Sequence, residues 1–305
     1  MTVLENKTAG PLGTGPFPEH RRRVVALSVL CGFLLTVVWS ASFVDRVIGD
    51  NVANTLLGHD AKATPITGVL AGIVFAFVSG LAGSLTACNV AVFGAVGPLI
   101  RERPATVRET FAPLGWIAAG MISVSAVYGA VVAVVGTRMP QFSTAASTGG
   151  LSPRNIQSMI AFGVVGLGFL WLGLIALGLL RNPMARHPRV PLVLMGALIG
   201  GLLVGRPFAL FRVLFRDSAE SHDIAYSVAA FVLQSVGNIV VMALLFLVLV
   251  HGTRGRLQRW FAAKPARLSL VTGAGLLIAG TFTLLYWDVR VLARAGVLWY
   301  PMIGW

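Results

Sequence analysis

One stretch constrains how this chain can fold: Ser79-Gly80-Leu81-Ala82-Gly83-Ser84-Leu85-Thr86-Ala87-Cys88-Asn89. It lies inside an apolar run from about residue 65 to residue 100, which is longer than the roughly 20 residues that a membrane-spanning helix needs. Polar groups at membrane depth are costly unless neighbouring helices or a cavity accommodate them. The stretch therefore predicts either a tightly packed helix interface, in which Cys88 is a small hydrophobic residue, or a functional site within the membrane.

The composition is that of a membrane protein. Of the 305 residues, 56% are hydrophobic and 11% are charged, whereas soluble domains carry about 25% charged residues. The formal net charge of +13 would suggest nucleic-acid binding in a soluble protein. Here basic loops on the cytoplasmic side of a bilayer explain it better. We expect an all-α, polytopic protein whose partner is the lipid bilayer and not nucleic acid.

Seven apolar segments predict about seven transmembrane helices. One set of alternate connections holds fourteen Lys and Arg residues and the other set holds eight, so the positive-inside rule places the N-terminus in the cytoplasm and the C-terminus outside. Residues 1–20 are expected to form a disordered cytoplasmic tail, and residues 291–305 an aromatic interfacial tail. The segments are approximately 24–44, 66–100, 111–136, 156–180, 190–211, 224–250 and 268–287.

The second and fifth segments predict an internal repeat. Each is rich in glycine, carries a polar or helix-breaking element past its middle, and runs in the opposite direction to the other. This pattern is typical of an inverted three-plus-three repeat whose interrupted helices meet near the midplane. Residues 65–290 would form that six-helix core, and residues 21–44 an additional helix.

These interrupted segments resemble two core helices of the DsbD/CcdA family, within the LysE-like superfamily. The segment ending in Thr86-Ala87-Cys88 resembles the first core helix, and Gly205-Arg206-Pro207-Phe208 is similar to the end of the fourth. The last segment is similar to the sixth. The resemblance implies a multi-pass protein of the bacterial inner membrane that relays reducing equivalents for envelope or cytochrome c maturation. It implies an electron conduit resembling a thiol–disulfide oxidoreductase, a separate thioredoxin-like partner, and neither cofactor nor metal.

Two departures from the family pattern bear on this activity. The family uses two core cysteines; Cys88 matches the first, but Phe208 stands where the second is expected, and Ala87 replaces the usual proline. Phenylalanine cannot take part in thiol–disulfide exchange. Cys31 is a candidate substitute at similar membrane depth, provided that its Cα lies within roughly 7 Å of that of Cys88. The alternative is that both cysteines only contribute to packing.

Arg206 is a third candidate catalytic residue, besides Cys88 and Cys31. The repeat places Arg206 beside Thr86, and a cationic neighbour favours the thiolate form of a cysteine. Alternatively, Arg206 binds backbone carbonyls released by Pro207. The predicted residues at the helix breaks are Gly83, Thr86, Ala87, Asn89, Gly205, Pro207 and Phe208.

Gln234 and Asn238 share one face of the sixth segment, because they are four residues apart. They are expected to support the broken helices from the side or to line a solute path. Every carboxylate and every histidine falls in a tail, a loop or a helix end, so metal binding and proton pumping by such groups are not expected. Besides the thiol relay, the sequence is compatible with a small-solute exporter on the same scaffold and with a structural assembly factor.

Overall fold

The protein is a bundle of helices. The computed structural model describes residues 12, 16–40, 43–85, 107–143, 151–187, 189–205, 208–252, 256–264 and 266–301, and every regular element in these ranges is helical. The all-α prediction is therefore confirmed for this part of the chain. The α-helices are α1 (Arg21–Val38), α2 (Asp50–Leu57), α3 (Val69–Ala82), α4 (Val107–Val135), α5 (Pro153–Ala176), α6 (Val190–Val204), α7 (Ala209–Ser221), α8 (Ile224–Gly252), α9 (Arg256–Ala263), α10 (Ala266–Leu284) and α11 (Arg290–Arg294).

Within the described ranges, four helical segments are long and apolar enough to cross a membrane: Phe111–Arg138, Pro153–Ala176, Ile224–Val248 and Ala266–Arg294. A fifth span results if α6 and α7 are counted together, although they meet at an angle of 83°. The structure thus supports a membrane-embedded helical protein. It does not confirm seven spans, because α3 has only 14 residues and the 18 residues of α1 include three arginines.

The predicted segment 190–211 does not form one continuous helix. Helix α6 ends at Val204, and residues from Ala209 onward belong to α7. Helix α7 is amphipathic, and its buried face includes Phe211, Leu214 and Phe215. This face packs against α3, α4 and α8, so the second half of the bent pair covers the bundle instead of continuing along it.

Close backbone contacts at glycines hold the central helices together. At the α4–α6 interface, a Cβ atom on Gly196 would lie 1.9 Å from the backbone oxygen of Ile117. At the α3–α8 interface, a Cβ on Gly80 would lie 2.0 Å from the backbone oxygen of Gln234. Apolar side chains gain little by leaving lipid, so membrane helices associate where small residues let their backbones approach. These glycines therefore set the spacing of the bundle.

Helices α5 and α10 use glycine in the same way at two heights. Gly166 lies against the backbone of Gly280, and Gly173 lies against that of Gly273. The residue numbers change in opposite directions, so the two helices are antiparallel. This pair continues the packing order of the bundle, which runs α1, α10, α5, α6, α4, α8, α3 and α2.

Long-range hydrogen bonds identify the two ends of the bundle. Arg21 donates to the Gly178 oxygen at 3.0 Å, and Ser269 donates to the Pro16 oxygen at 3.3 Å. The start of α1, the end of α5 and the start of α10 therefore lie at one end, which we call the N-terminal end. The start of α5 and the ends of α1 and α10 lie at the opposite end.

Helix α1 is fastened to the last helix at the opposite end. The side chain of Arg290 is 5% exposed and donates to the backbone oxygens of Thr36 at 3.1 Å and Trp39 at 3.3 Å. These carbonyls belong to the last turn and the C-cap of α1, where no intrahelical donor remains. The hydroxyl of Tyr300 also hydrogen-bonds Thr36. The predicted segments leave Arg290 outside the last transmembrane helix (268–287), whereas in the structure it is a buried cap for α1.

Substitution of Gly196 by alanine should destabilise the bundle by roughly 1–3 kcal/mol, because the added methyl group would overlap the Ile117 carbonyl. Gly115→Ala is the matched control: it adds the same group to α4, where nothing lies within 4 Å. Thermal unfolding of both variants in detergent would check this prediction. Equal melting temperatures for the two variants would contradict the close contact.

Replacement of Arg290 by methionine should lower the free energy of unfolding by about 1.5–3 kcal/mol, because two carbonyls of α1 lose their donor. This is the range for hydrogen bonds to charged groups. Arg294→Met is the control, since Arg294 is exposed in α11. Limited proteolysis should cleave the region after α1 faster in Arg290→Met than in the control. If both variants resisted proteolysis equally, Arg290 would not be the residue that fastens α1.

Candidate functional site at the interrupted helices

Helix α3 loses its α-helical geometry directly before the predicted cysteine site. It ends at Ala82 and continues as a single 3-10 turn over Gly83–Leu85. Gly83 is buried at this transition, and the Ser84 hydroxyl donates to the Gly80 oxygen at 2.8 Å. The chain therefore changes conformation within the motif that the sequence singled out.

Helix α6 ends at Val204, with Gly205 as its buried C-cap. The last carbonyls of a helix lack intrahelical donors, and side chains supply them here. Gln141 and Gln157 donate to the Val204 oxygen at 2.8 and 3.0 Å, and Ser158 donates to the Gly205 oxygen at 2.7 Å. These donors stabilise the interruption of α6 inside the protein.

The directions of α3 and α6 follow from their partners. Between α3 and α8, Gly72 contacts Tyr226 and Gly80 contacts Gln234. Between α4 and α6, Gly196 contacts Ile117 and Gly200 contacts Met121. Residue numbers increase together at both interfaces, so both helix pairs are parallel. Between α4 and α8, Gly129 packs on Ser227 and Ser125 hydrogen-bonds Ser235, which makes these helices antiparallel. Helices α3 and α6 therefore run in opposite directions.

The interrupted ends of α3 and α6 share one buried hydrophobic cluster. Ala82 from the end of α3, Leu203 from the end of α6 and Phe208 from the start of α7 all belong to it. The Phe208 ring is 2% exposed and lies 3.0 Å from the position of a Cβ on Gly49. That same position is 3.6 Å from the Ala82 oxygen. Gly49 thus lets the connection after α1 fit between the two helix ends.

The predicted site residues divide into two groups. Gly83, Gly205, Phe208, Gln234 and Asn238 are described, and each is buried around or beside the interrupted ends. The remaining predicted residues at the breaks lie outside the described residues: Thr86, Ala87, Cys88, Asn89, Arg206 and Pro207. The proximity of Cys88 and Arg206 therefore stays a prediction.

Cys31 is a free, exposed cysteine on α1. The neighbouring Gly32 faces α10, where a Cβ would lie 2.8 Å from the Cβ of Thr281. Cys31 is thus on a different part of the α1 surface from the residues packed on α10. Its pairing with Cys88 stays a prediction, and the exposure of Cys31 does not favour it.

Two buried polar side chains, one on α3 and one on α8, have no hydrogen-bond partner within the described part of the chain. Gln234 is 1% exposed, and neither of its side-chain polar atoms has a hydrogen-bond partner within the described part of the chain. The same holds for the hydroxyl of Ser79, which is also 1% exposed. Buried polar groups are nearly always hydrogen-bonded, so these two side chains are candidates to meet a ligand or water. Gln234 thus makes no supporting hydrogen bond to the described part of α3.

Sequence reasoning missed several polar groups that the structure places at the end of α6 or within a candidate span. Gln141, Gln157 and Ser158 were not selected, although they hold the α6 carbonyls, because two of them occupy the start of an apolar segment and one a loop. Asp288 was assigned to a helix end; it lies in a π-helical segment, Leu285–Val289, inside a candidate span. Its Oδ2 atom is buried without a hydrogen-bond partner among the described residues.

Comparisons with known proteins give no further guidance on this arrangement. A scan against models of protein families, a search of curated proteins and a search of solved structures each found no match to the chain.

Proposed function

We propose that this chain is a thiol–disulfide protein of the DsbD/CcdA type in the bacterial inner membrane, in which Cys88 exchanges disulfides with a separate thioredoxin-like partner. The N-terminal end of the bundle is cytoplasmic in this proposal. The observation that carries it is the loss of α-helical geometry at Gly83, directly before Thr86-Ala87-Cys88. The resemblance requires an interruption at this place.

The packing supports an inverted repeat as the scaffold. The repeat pairs α3 with α6, α4 with α8, and α5 with α10. Exchanging the two halves then converts the glycine contact between α3 and α8 into the contact between α6 and α4. The same exchange leaves the α5–α10 interface unchanged, because each of these two helices takes the place of the other. Such correspondence is expected when two halves are related by a twofold axis in the membrane plane.

The chemistry of a single core cysteine is a stepwise exchange. The Cys88 thiolate attacks a disulfide of the partner, which forms a mixed disulfide and releases one partner thiolate. A thiolate of a second partner then attacks the Cys88 sulfur and releases the first partner as a dithiol, and the other thiolate of the second partner displaces Cys88 as that partner becomes a disulfide. An internal disulfide with Phe208 is chemically excluded, so the cycle depends on partners outside this chain.

Replacement of Cys88 by serine should abolish mixed-disulfide adducts of the protein, because serine cannot form them. Cys31→Ser is the matched control and should keep them. The measurement is acid quenching of membranes, alkylation of free thiols and non-reducing electrophoresis. Adducts that persist in Cys88→Ser and vanish in Cys31→Ser would refute the assignment of Cys88.

A second candidate function is the export of a small solute without redox chemistry. Two observations favour it: Phe208 fills the expected position of the second cysteine, and Gln234 presents unpartnered polar atoms beside the interrupted helices. On this proposal Cys88→Ser is tolerated and Arg206→Ala abolishes transport. On the relay proposal Cys88→Ser abolishes function.

Replacement of Arg206 by leucine should slow maleimide labelling of Cys88 at neutral pH, by about tenfold for each pK unit by which the guanidinium favours the thiolate. The measurement uses the Cys31→Ser background, so that only Cys88 can react. Arg294→Leu is the control and should label at the parental rate. An unchanged rate in Arg206→Leu would show that Arg206 does not activate Cys88.

A further inference from the structure

A short helix joins two candidate spans at the N-terminal end of the bundle. Helix α9 (Arg256–Ala263) connects the span Ile224–Val248 to the span Ala266–Arg294. Helix α10 begins at the N-terminal end, so α9, directly before it, lies at that end as well. A segment that joins two successive spans lies where they leave the hydrocarbon region, and it is therefore within reach of the lipid headgroups.

The exposed face of α9 combines cations with an aromatic ring. Arg256, Arg259 and Trp260 are exposed, and they share one side of the helix because their spacings are three and four residues. Phe261 is buried, and its ring centre lies 5.1 Å from that of Trp260. Lys264 follows directly after the helix and is exposed. We call Arg256, Arg259, Trp260 and Lys264 the basic face of α9.

Arg267 fixes α9 against the start of α10. Its guanidinium donates to the Trp260 oxygen at 2.7 Å and lies 4.6 Å from the centre of the Trp260 ring. That carbonyl belongs to the last turn of α9, where no intrahelical donor remains. The backbone amide of Arg267 also donates to the Lys264 oxygen at 2.9 Å. The basic face is therefore held in a fixed place relative to the span that begins with α10.

The basic face has no carboxylate partner in its own part of the chain. The sequence contains no Asp or Glu between Asp223 and Asp288. The ion pair found among the described residues joins Lys62 to Asp50 near α2, which follows the end of α1 at the opposite end of the bundle. The cations of the basic face are therefore available to an anion outside this chain.

We propose that the basic face of α9 binds the headgroups of anionic phospholipids at the surface of the membrane in which the bundle is embedded. Lys and Arg residues beside a transmembrane helix attract anionic lipids, by about fivefold in affinity for each cation. Trp side chains favour the depth of the headgroups, so Trp260 and the cations beside it suit the same layer. The position between two spans and the exposed ring favour a lipid surface over a soluble acidic partner. The proposal does not depend on the thiol chemistry of Cys88.

Hydrogen–deuterium exchange of the α9 amides in nanodiscs tests this binding. In the full chain, exchange should be slower in nanodiscs that contain phosphatidylglycerol than in nanodiscs of phosphatidylcholine alone, because bound headgroups oppose local opening of the helix. High salt should reduce the difference, since it screens exposed charges. Equal exchange in both kinds of nanodisc at low salt would overturn the proposal.

The double variant Arg256→Gln/Arg259→Gln should lose the protection given by phosphatidylglycerol, by about fivefold for each cation removed. Arg138→Gln is the matched control, because it removes an exposed cation from the turn after α4, at the opposite end of the bundle. It should keep the parental protection, and an equal loss in this control would overturn the proposal.

Exchange in phosphatidylcholine alone separates lipid binding from a structural role of the two arginines. The double variant should exchange there like the parent, because both side chains are exposed. If it exchanged faster there and still gained the full protection from phosphatidylglycerol, the arginines would support the helix without binding lipid, and the proposal would be overturned.

Two additions to phosphatidylcholine nanodiscs distinguish a lipid surface from other anions. Inorganic phosphate at equal ionic strength should not protect α9, because a single ion cannot engage several cations at once as a layer of headgroups does. Protection by phosphate as strong as that by phosphatidylglycerol would overturn the proposal. Protection by polyglutamate but not by phosphatidylglycerol would indicate a soluble acidic partner and would overturn it as well.

Discussion

The contact of a glycine Cα with a backbone carbonyl of the next helix is the constraint on which the bundle depends. It occurs between α3 and α8, between α4 and α6, between α4 and α8, and between α5 and α10. In lipid these helices gain little from apolar burial alone, so close backbone approach supplies the dispersion contacts that hold them. The same approach fixes how α3 and α6 are placed, and hence where their interrupted ends meet.

The two interrupted helices satisfy their backbone in different ways. The carbonyls of α6 at Val204 and Gly205 accept hydrogen bonds from side chains on α5 and from the turn after α4. The end of α3 tightens into a 3-10 turn, and Ser84 donates back to its own helix at Gly80. The two breaks of the proposed repeat are therefore stabilised by different contacts.

The sequence predicted the helical class and the interruption of two glycine-rich segments, because composition and breaker residues act locally. It failed where tertiary contacts decide the structure. The turn of 83° between α6 and α7 depends on an apolar face that packs against three other helices. The burial of Arg290 depends on carbonyls of α1, more than 250 positions away in the sequence. No local pattern distinguishes such a cap from a loop arginine, and the same applies to Gln157.

The fit of Gly49 between Phe208 and Ala82 changes the status of the additional N-terminal helix. Because the connection after α1 reaches the meeting point of the interrupted helices, α1 and its linker are not an appendage to a self-sufficient six-helix unit. Shortening the chain to residues 65–290 would remove Gly49, which lies against the buried Phe208 ring. Any minimal version of this protein would therefore have to retain the connection through Gly49 or cover the Phe208 ring with another side chain.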